Sequence, residues 1–195
     1  MSVERHRFVK EWFALGMPEG MPTWTRIMTD PLNPQSEHLE AIYSNQSLVS
    51  AVDGMNPIGS LSEPPLVARM LEDLAADEGM NVLEIGTCSG YNAALLAEIV
   101  SNDGTVHSME NRTDAADSAA FTLRQLGYVQ VHVHSRDGFF GDSQNAPYDR
   151  MIATAGCSDL SPHWIKQLQP DGQMLIPLQQ GHVDYLVLAA RDNHR

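Results

Sequence analysis

NVLEIGTCSGYN, running from Asn81 to Asn92, decides how the rest of this sequence is read, because it passes from an apolar strand through a glycine turn into a helix. Val82, Leu83 and Ile85 are β-forming residues without polar alternation, the pattern of a strand covered on both faces of a parallel sheet. Glu84 interrupts that run and calls for a role. Gly86 and Gly90 can take backbone angles closed to other residues and let a ligand approach the main chain, while Ser89 is placed to cap the following helix. Thr87, Cys88 and Tyr91 complete the turn, and a helix N-terminus offers its N–H groups to an anion.

A dinucleotide fingerprint, Gly-x-Gly-x-x-Gly, needs its second glycine to admit a pyrophosphate and its third to pack helix on strand, and Cys88 and Tyr91 hold those positions. A pyrophosphate is therefore disfavoured. A smaller anionic group fits, such as the amino-acid carboxylate of S-adenosylmethionine. The same residues also read as an ordinary strand-to-helix turn.

Working outward toward the C-terminus, Ala93 to Val100 continues the helix and Thr105 to Met109 forms a second strand ending at Glu110 and Asn111. An acid at that tip sits where doubly wound nucleotide binders place the acceptor for a ribose diol, and a carboxylate suits a vicinal hydroxyl pair well. Asp114 to Leu126 reads as a helix closed by Gly127, and Val129, Val131 and Val133 alternate with polar residues as in an edge strand. Asp137 and Gly138 follow, with Phe139 and Phe140. The acid is placed to accept from an adenine amino group with an aromatic wall beside it, or to make a plain Asp-Gly turn. A strand over Tyr148 to Thr154, a helix over Pro162 to Leu168 and strands over Gly172 to Leu178 and Asp184 to Ala190 complete the pattern. It predicts an α/β fold: a doubly wound, mostly parallel Rossmann-like sheet with helices on both faces, preceded by an irregular N-terminal segment. Ligands belong at the carboxyl ends of its strands, where Glu84, Glu110 and Asp137 cluster.

Working outward toward the N-terminus, Ser60-Leu61-Ser62-Glu63-Pro64-Pro65 places two hydroxyls before a helix start, where proline costs nothing. Ser60 and Ser62 read equally well as caps. Leu66, Val67, Met70, Leu71 and Leu74 then share one face of a helix. Leu48 to Val52 suggests a short extended segment closed by Asp53-Gly54. Ser2 to Leu15 has the spacing of a short amphipathic helix, and the prolines between Gly16 and Gln35 predict an ordered loop or lid carrying Trp24, Ile27, Met28 and Leu32. The organisation expected is an N-terminal helix and proline-rich loop over residues 1–60 and a catalytic-type α/β domain over 61–195, in one globular unit.

A net charge of −13 opposes nucleic-acid binding, which depends on cations that neutralise phosphates. Cys88 and Cys157 are expected as reduced thiols, and no Cys/His spacing of a metal site is evident. His132 and His134 would share one face of a strand as structural or solvated residues. No signal peptide or membrane span is evident, so the expectation is a cytoplasmic protein without a membrane partner.

With these residues in place, the sequence resembles the protein-L-isoaspartate O-methyltransferases, a family of class I S-adenosylmethionine-dependent enzymes. The likeness rests on VERHRFV, SLSEPPLVARML, VLEIGTCSGYNAALLA, VHSMEN, RDGFFG, YDRMIATAG and LQPDGQMLIPL, and so covers most of the chain. It implies that Glu84 and the Gly86 to Gly90 turn hold the methionyl part of the cofactor, Glu110 with Asn111 the ribose, and Asp137 with Gly138 the adenine. Ser62 falls on the family's active-site serine, with Ser60 beside it. The implied substrate is a protein or peptide carrying an isoaspartyl or aspartyl carboxylate, and the implied product of the cofactor is S-adenosylhomocysteine. Methylation of a small metabolite or a peptide precursor on the same scaffold, and a non-catalytic cofactor-binding relative, are the competing readings. The likeness departs at Cys88, where the family has glycine, and at Glu63, Pro65 and Arg136. The family's final strand and Phe-Val-Pro-Leu-like ending have no counterpart.

Overall fold

β-forming residues separated by turn chemistry build the N-terminal part as hairpins, in place of the helix and loop suggested by its charge and proline content. In the computed structural model, which describes residues 3–180 and 183–192, a 3-10 turn at Arg5–Phe8 leads into β1 (Glu11–Gly16) and β2 (Thr23–Met28). α1 (Ser36–Ile42), β3 (Leu48–Asp53) and β4 (Asn56–Leu61) follow, and the strands form one antiparallel sheet in the order β2-β1-β3-β4. β1 and β2 pair from Glu11 with Met28 to Gly16 with Thr23, around a turn at Pro18–Gly20. Pro18 and Pro22 thus lie in the hairpin turn and Pro31 and Pro34 beyond β2, so no ladder N–H is lost.

The expected helix over Ser2 to Leu15 is therefore corrected to a turn and a strand, with Ser2 itself outside the described residues. Phe8, Val9 and Trp12 are buried as their apolar character requires. The expected lid is likewise a hairpin, and Trp24 donates from Nε1 to Met55 O at 3.1 Å, tying it to the β3–β4 turn. That turn follows Asp53 as anticipated. Ser60 lies on β4 opposite Val49, so it does not cap the helix after it.

Backbone contacts divide the chain into two units, Ser2–Ala68 and Arg69–Arg195, later than the boundary expected after residue 60. The second unit begins within α2 (Pro64–Leu74) and continues through β5 (Asn81–Ile85), α3 (Tyr91–Val100), β6 (Thr105–Glu110), α4 (Thr113–Gln125) and β7 (Val131–Ser135). β8 (Tyr148–Ala153), α5 (Pro162–Gln167), β9 (Leu168–Gln180) and β10 (Val183–Ala190) complete it. Its sheet runs β10-β9-β8-β5-β6-β7, parallel except for β10, which pairs antiparallel with β9.

Strand order reverses at β5, and the carboxyl ends of strands at such a reversal open a ligand crevice. Val82 and Leu83 are fully buried, as expected for the central strand, and β7 is an edge strand. α3 turns Ala93, Ala94, Leu96, Ala97 and Val100 inward, and α4 buries Ala116, Ala119 and Leu123. Right-handed crossovers running one way from β5 to β6 and β7 and the other way from β8 to β9 put α5 on the sheet face opposite α3 and α4. No helix among the described residues is long and apolar enough to cross a membrane.

Candidate cofactor site

The turn after β5 is held on both sides. Gly86 has φ of 103°, and its N–H and that of Thr87 donate to Met109 O on β6, at 2.8 and 3.2 Å. Thr154, just past β8, donates from Oγ1 to Gly86 O at 2.6 Å, and a Cβ on Gly86 would stand 2.7 Å from that hydroxyl. Gly90 has φ of 86°, and a Cβ there would stand 3.0 Å from Leu123 of α4. Glycine at these two places is thus required by dihedral angle and by close approach together. Cys88 adopts the left-handed region without that freedom, at φ of 49°. Ser89 does not cap α3: Gly90 occupies the cap position, and Ser89 Oγ only meets Tyr91 N at 3.4 Å.

The three acidic candidates separate once their surroundings are known. Glu84 is fully buried, accepting from Asn92 Nδ2 at 2.7 Å and Ser108 Oγ at 2.5 Å, with Thr87 Oγ1 also 2.5 Å from Ser108 Oγ. Burial lifts its pKa to about 7 against the two donated hydrogen bonds. Glu84 thus ties β5 to β6 and to the first turn of α3. Glu110, at the tip of β6, accepts from Cys88 N at 2.8 Å and from Arg112 N at 3.1 Å, one through each carboxylate oxygen. Each oxygen has a second acceptor site. Asn111 beside it is exposed.

Asp137 is exposed and accepts from Phe139 N at 2.9 Å, closing a 3-10 turn over Gly138–Phe140. This loop is pinned from α5 and its cap: Ser161 Oγ donates to Phe139 O at 2.6 Å, Trp164 Nε1 to Gly138 O at 2.8 Å and Gln167 Nε2 to Phe140 O at 2.9 Å. A Cβ on Gly138 would lie 2.6 Å from Ile85 Cγ2, so glycine brings the loop against the end of β5. Sequence reasoning missed these α5 anchors, because a Trp, a Ser and a Gln carry no motif by themselves.

Within the N-terminal unit, Ser60 is exposed and Ser62 half-buried. Buried Arg5 donates from Nη2 to Ser62 O at 3.1 Å, fixing the serine's backbone across the unit. A charged residue in VERHRFV thus has a positioning role that composition alone did not suggest. Cys88 and Cys157 are not joined in a disulfide.

Also unforeseen is a polar cluster at β6 and β7. His107, His134 and Asp142 approach one another closely, with Arg136 beside them. Burial pushes the His107 pKa down to about 4 and that of His134 below its usual range. The departing residue Arg136 has its Nη1 3.7 Å from Asp142 Oδ1 and its Nη2 3.4 Å from His134 Nδ1.

The α3 N-terminus, Glu110 and Asp137 thus follow β5, β6 and β7 in turn. Comparison with known proteins gives a family. The family model described as protein-L-isoaspartate(D-aspartate) O-methyltransferase matches residues 33–195. A protein-L-isoaspartate O-methyltransferase of Archaeoglobus fulgidus is 40% identical over 77% of this chain and 68% of its own length. A solved protein-L-isoaspartate O-methyltransferase superposes with a TM-score of 0.74 at 30% identity, covering 80% of this chain and 49% of the other. A Plasmodium falciparum β-aspartate methyltransferase in complex with S-adenosyl-L-homocysteine shares the fold, with a TM-score of 0.71 at 14% identity over 98% of this chain and 79% of the other. The chain spans 56% to 68% of the length of the curated relatives it matches.

Proposed function

Because this chain belongs to the protein-L-isoaspartate(D-aspartate) O-methyltransferase family, we propose that it transfers a methyl group from S-adenosylmethionine to the side-chain-derived carboxylate of an isoaspartyl residue in a protein or peptide. The observation that carries this reading is the glycine turn with Glu110 drawn against it. One carboxylate oxygen is 2.8 Å from Cys88 N, a proximity that supports reading Glu110 as the ribose acceptor beside a methionyl tail.

Gly86 to Tyr91 would receive the methionyl group, Glu110 and Asn111 the ribose hydroxyls, and Asp137 with Gly138 the adenine. Phe139 and Phe140, both exposed, are the aromatic surface available to the ring. A carboxylate oxygen attacks the sulfonium methyl carbon and the C–S bond breaks with its electron pair on sulfur. The products are a methyl ester and S-adenosylhomocysteine, and no proton moves. A carboxylate with an ordinary pKa of about 4 is already ionised at neutral pH, so alignment of two reactants is the main catalytic demand. Ser62 is the residue assigned to orient that carboxylate by hydrogen bonding, with Ser60 assisting at the substrate side.

The test supplies labelled S-adenosylmethionine with two peptides that differ only in the linkage at one aspartyl residue. Base-labile label on the isoaspartyl peptide alone is the expected result. Label on neither peptide overturns the substrate assignment in favour of a dedicated peptide precursor or metabolite. Ser62→Ala should lower kcat at least tenfold, with the affinity for S-adenosylhomocysteine unchanged, and an unaltered kcat removes Ser62 from catalysis.

A further inference from the structure

We propose that Arg136 is a positioning residue for the cofactor, holding Glu110 and Asp137 in place through its contacts to Asp142 and His134, and that a proton on His134 releases that hold. This inference rests on the reading of Glu110 and Asp137 as the ribose and adenine acceptors.

Arg136 is joined to both acceptors through the main chain. It directly precedes Asp137, and its N–H donates to Glu110 O at 2.9 Å. Its side chain reaches a buried carboxylate. Nη1 lies 3.7 Å from Asp142 Oδ1, an oxygen buried without a hydrogen-bond donor among the described residues. Asp142 Oδ2 is already engaged, accepting from Asn145 Nδ2 at 2.7 Å and from Tyr148 OH at 3.1 Å. Against the upward push of burial, those two bonds and the charges of His134 and Arg136 hold the Asp142 carboxyl below its usual range. A buried anionic oxygen without a donor is costly, and this gives the guanidinium a preferred place although its side chain is 41% exposed.

The same guanidinium fixes the hydrogens of a chain of rings. Arginine has no acceptor, so Arg136 Nη2 donates to His134 Nδ1 at 3.4 Å. His134 then carries its ring hydrogen on Nε2 and donates it to His107 Nδ1 at 3.2 Å, with the two ring planes 15° apart. A further proton on His134 can enter only at Nδ1, where it meets the guanidinium donor to donor and charge to charge. Protonation of His134 and the seated Arg136 are therefore mutually exclusive. His134 Nε2 lies 3.8 Å from Asp142 Oδ2, so the new cation takes over the carboxylate that Arg136 gives up.

The groups facing His134 are His107 on β6, His132 and Arg136 along its own strand and past its end, and Asp142 before β8, with Arg124 and Tyr128 lining the same groove from the α4 side. Burial, opposed by Asp142 and aided by Arg136 and His132, sets the His134 pKa below its ordinary value of about 6.5. The neutral ring and the held loop are thus the state of neutral and alkaline pH, and are lost as pH falls below that range. A cofactor that needs the held loop must, by reciprocity, make His134 harder to protonate.

The experiment measures S-adenosylhomocysteine binding by calorimetry from pH 5 to pH 8 in the unmodified full chain, His134→Asn, Arg136→Gln and Arg136→Lys. Binding to the unmodified chain should weaken about fivefold or more between pH 7.5 and pH 5, and the ligand should lower the His134 pKa followed by histidine NMR. His134→Asn, whose amide oxygen stands in for Nδ1 and takes no proton, should bind normally at pH 7.5 and keep that affinity at pH 5. Arg136→Gln should bind about fivefold more weakly at pH 7.5 with no further loss in acid, and Arg136→Lys, which keeps a cation for Asp142, should recover part of the affinity. The same acid weakening in His134→Asn, or unaltered affinity of Arg136→Gln at pH 7.5, overturns this proposal and leaves the cofactor reading intact. No binding to the unmodified chain at any pH overturns both.

Discussion

At the scale of single residues, Cys88 and Glu84 each carry a measurable cost. A β-carbon in the left-handed region is worth about 1–2 kcal/mol of strain, partly offset by the extra unfolded-state entropy of a glycine. Cys88→Gly should therefore stabilise the protein by roughly 0.5–1 kcal/mol in urea unfolding, and a destabilised variant would mean that the cysteine side chain contributes packing that outweighs the strain. Glu84 gives a pH dependence. Its folded pKa is raised to about 7 by burial, so the folded state holds a proton that the unfolded chain releases from about pH 4.5 upward. Its contribution to stability is full below that unfolded value and fades as pH rises through 7, by about 3 kcal/mol in total. Glu84→Gln, measured by unfolding at a series of pH values, should flatten that slope, and an identical slope would show that another group carries it.

Among the elements, those whose apolar period and turn chemistry agree were legible in the sequence. β5 and its glycine turn, the apolar face of α2, the helices α3 and α4, the alternating edge strand β7 and the acid at the tip of β6 all follow from local pattern. The β1–β2 hairpin did not, because the prolines counted over Gly16 to Gln35 lie outside Thr23–Met28. Ser89 was misassigned as a cap for a similarly local reason: the left-handed Gly90 takes the cap position itself. Glu84 could be seen as an anomaly in an apolar strand, but its partners Asn92 and Ser108 lie on two other elements and only the fold brings them together. The loop after β7 makes a prediction at this scale. Gly138→Ala would set a methyl group 2.6 Å from Ile85 Cγ2, and overpacking of this kind costs about 1–3 kcal/mol. A variant with unchanged Tm would show that the loop yields instead.

For the whole molecule, parallel order with its reversal at β5 was readable from the succession of strands and helices, since right-handed crossovers leave few alternatives. What could not be read were groupings made by register. His107 and Asp142 are 35 residues apart in sequence, and His107 meets His134 only because β6 and β7 pair in parallel. The same dependence on tertiary structure hides the anchoring of the Gly138–Phe140 turn by α5. The rim at the carboxyl ends of β5 and β6 nevertheless emerges from both readings as the place where polar groups converge, and the account stands or falls on Glu110 as acceptor for a ribose diol there. The most direct measurement is calorimetric binding of S-adenosylhomocysteine and of its 2′-deoxy analogue to the unmodified chain and to Glu110→Ala. The account predicts binding to the unmodified chain, at least tenfold weaker binding of the deoxy analogue, and no such discrimination in the variant. No binding to the unmodified chain, or equal discrimination in both proteins, would contradict it.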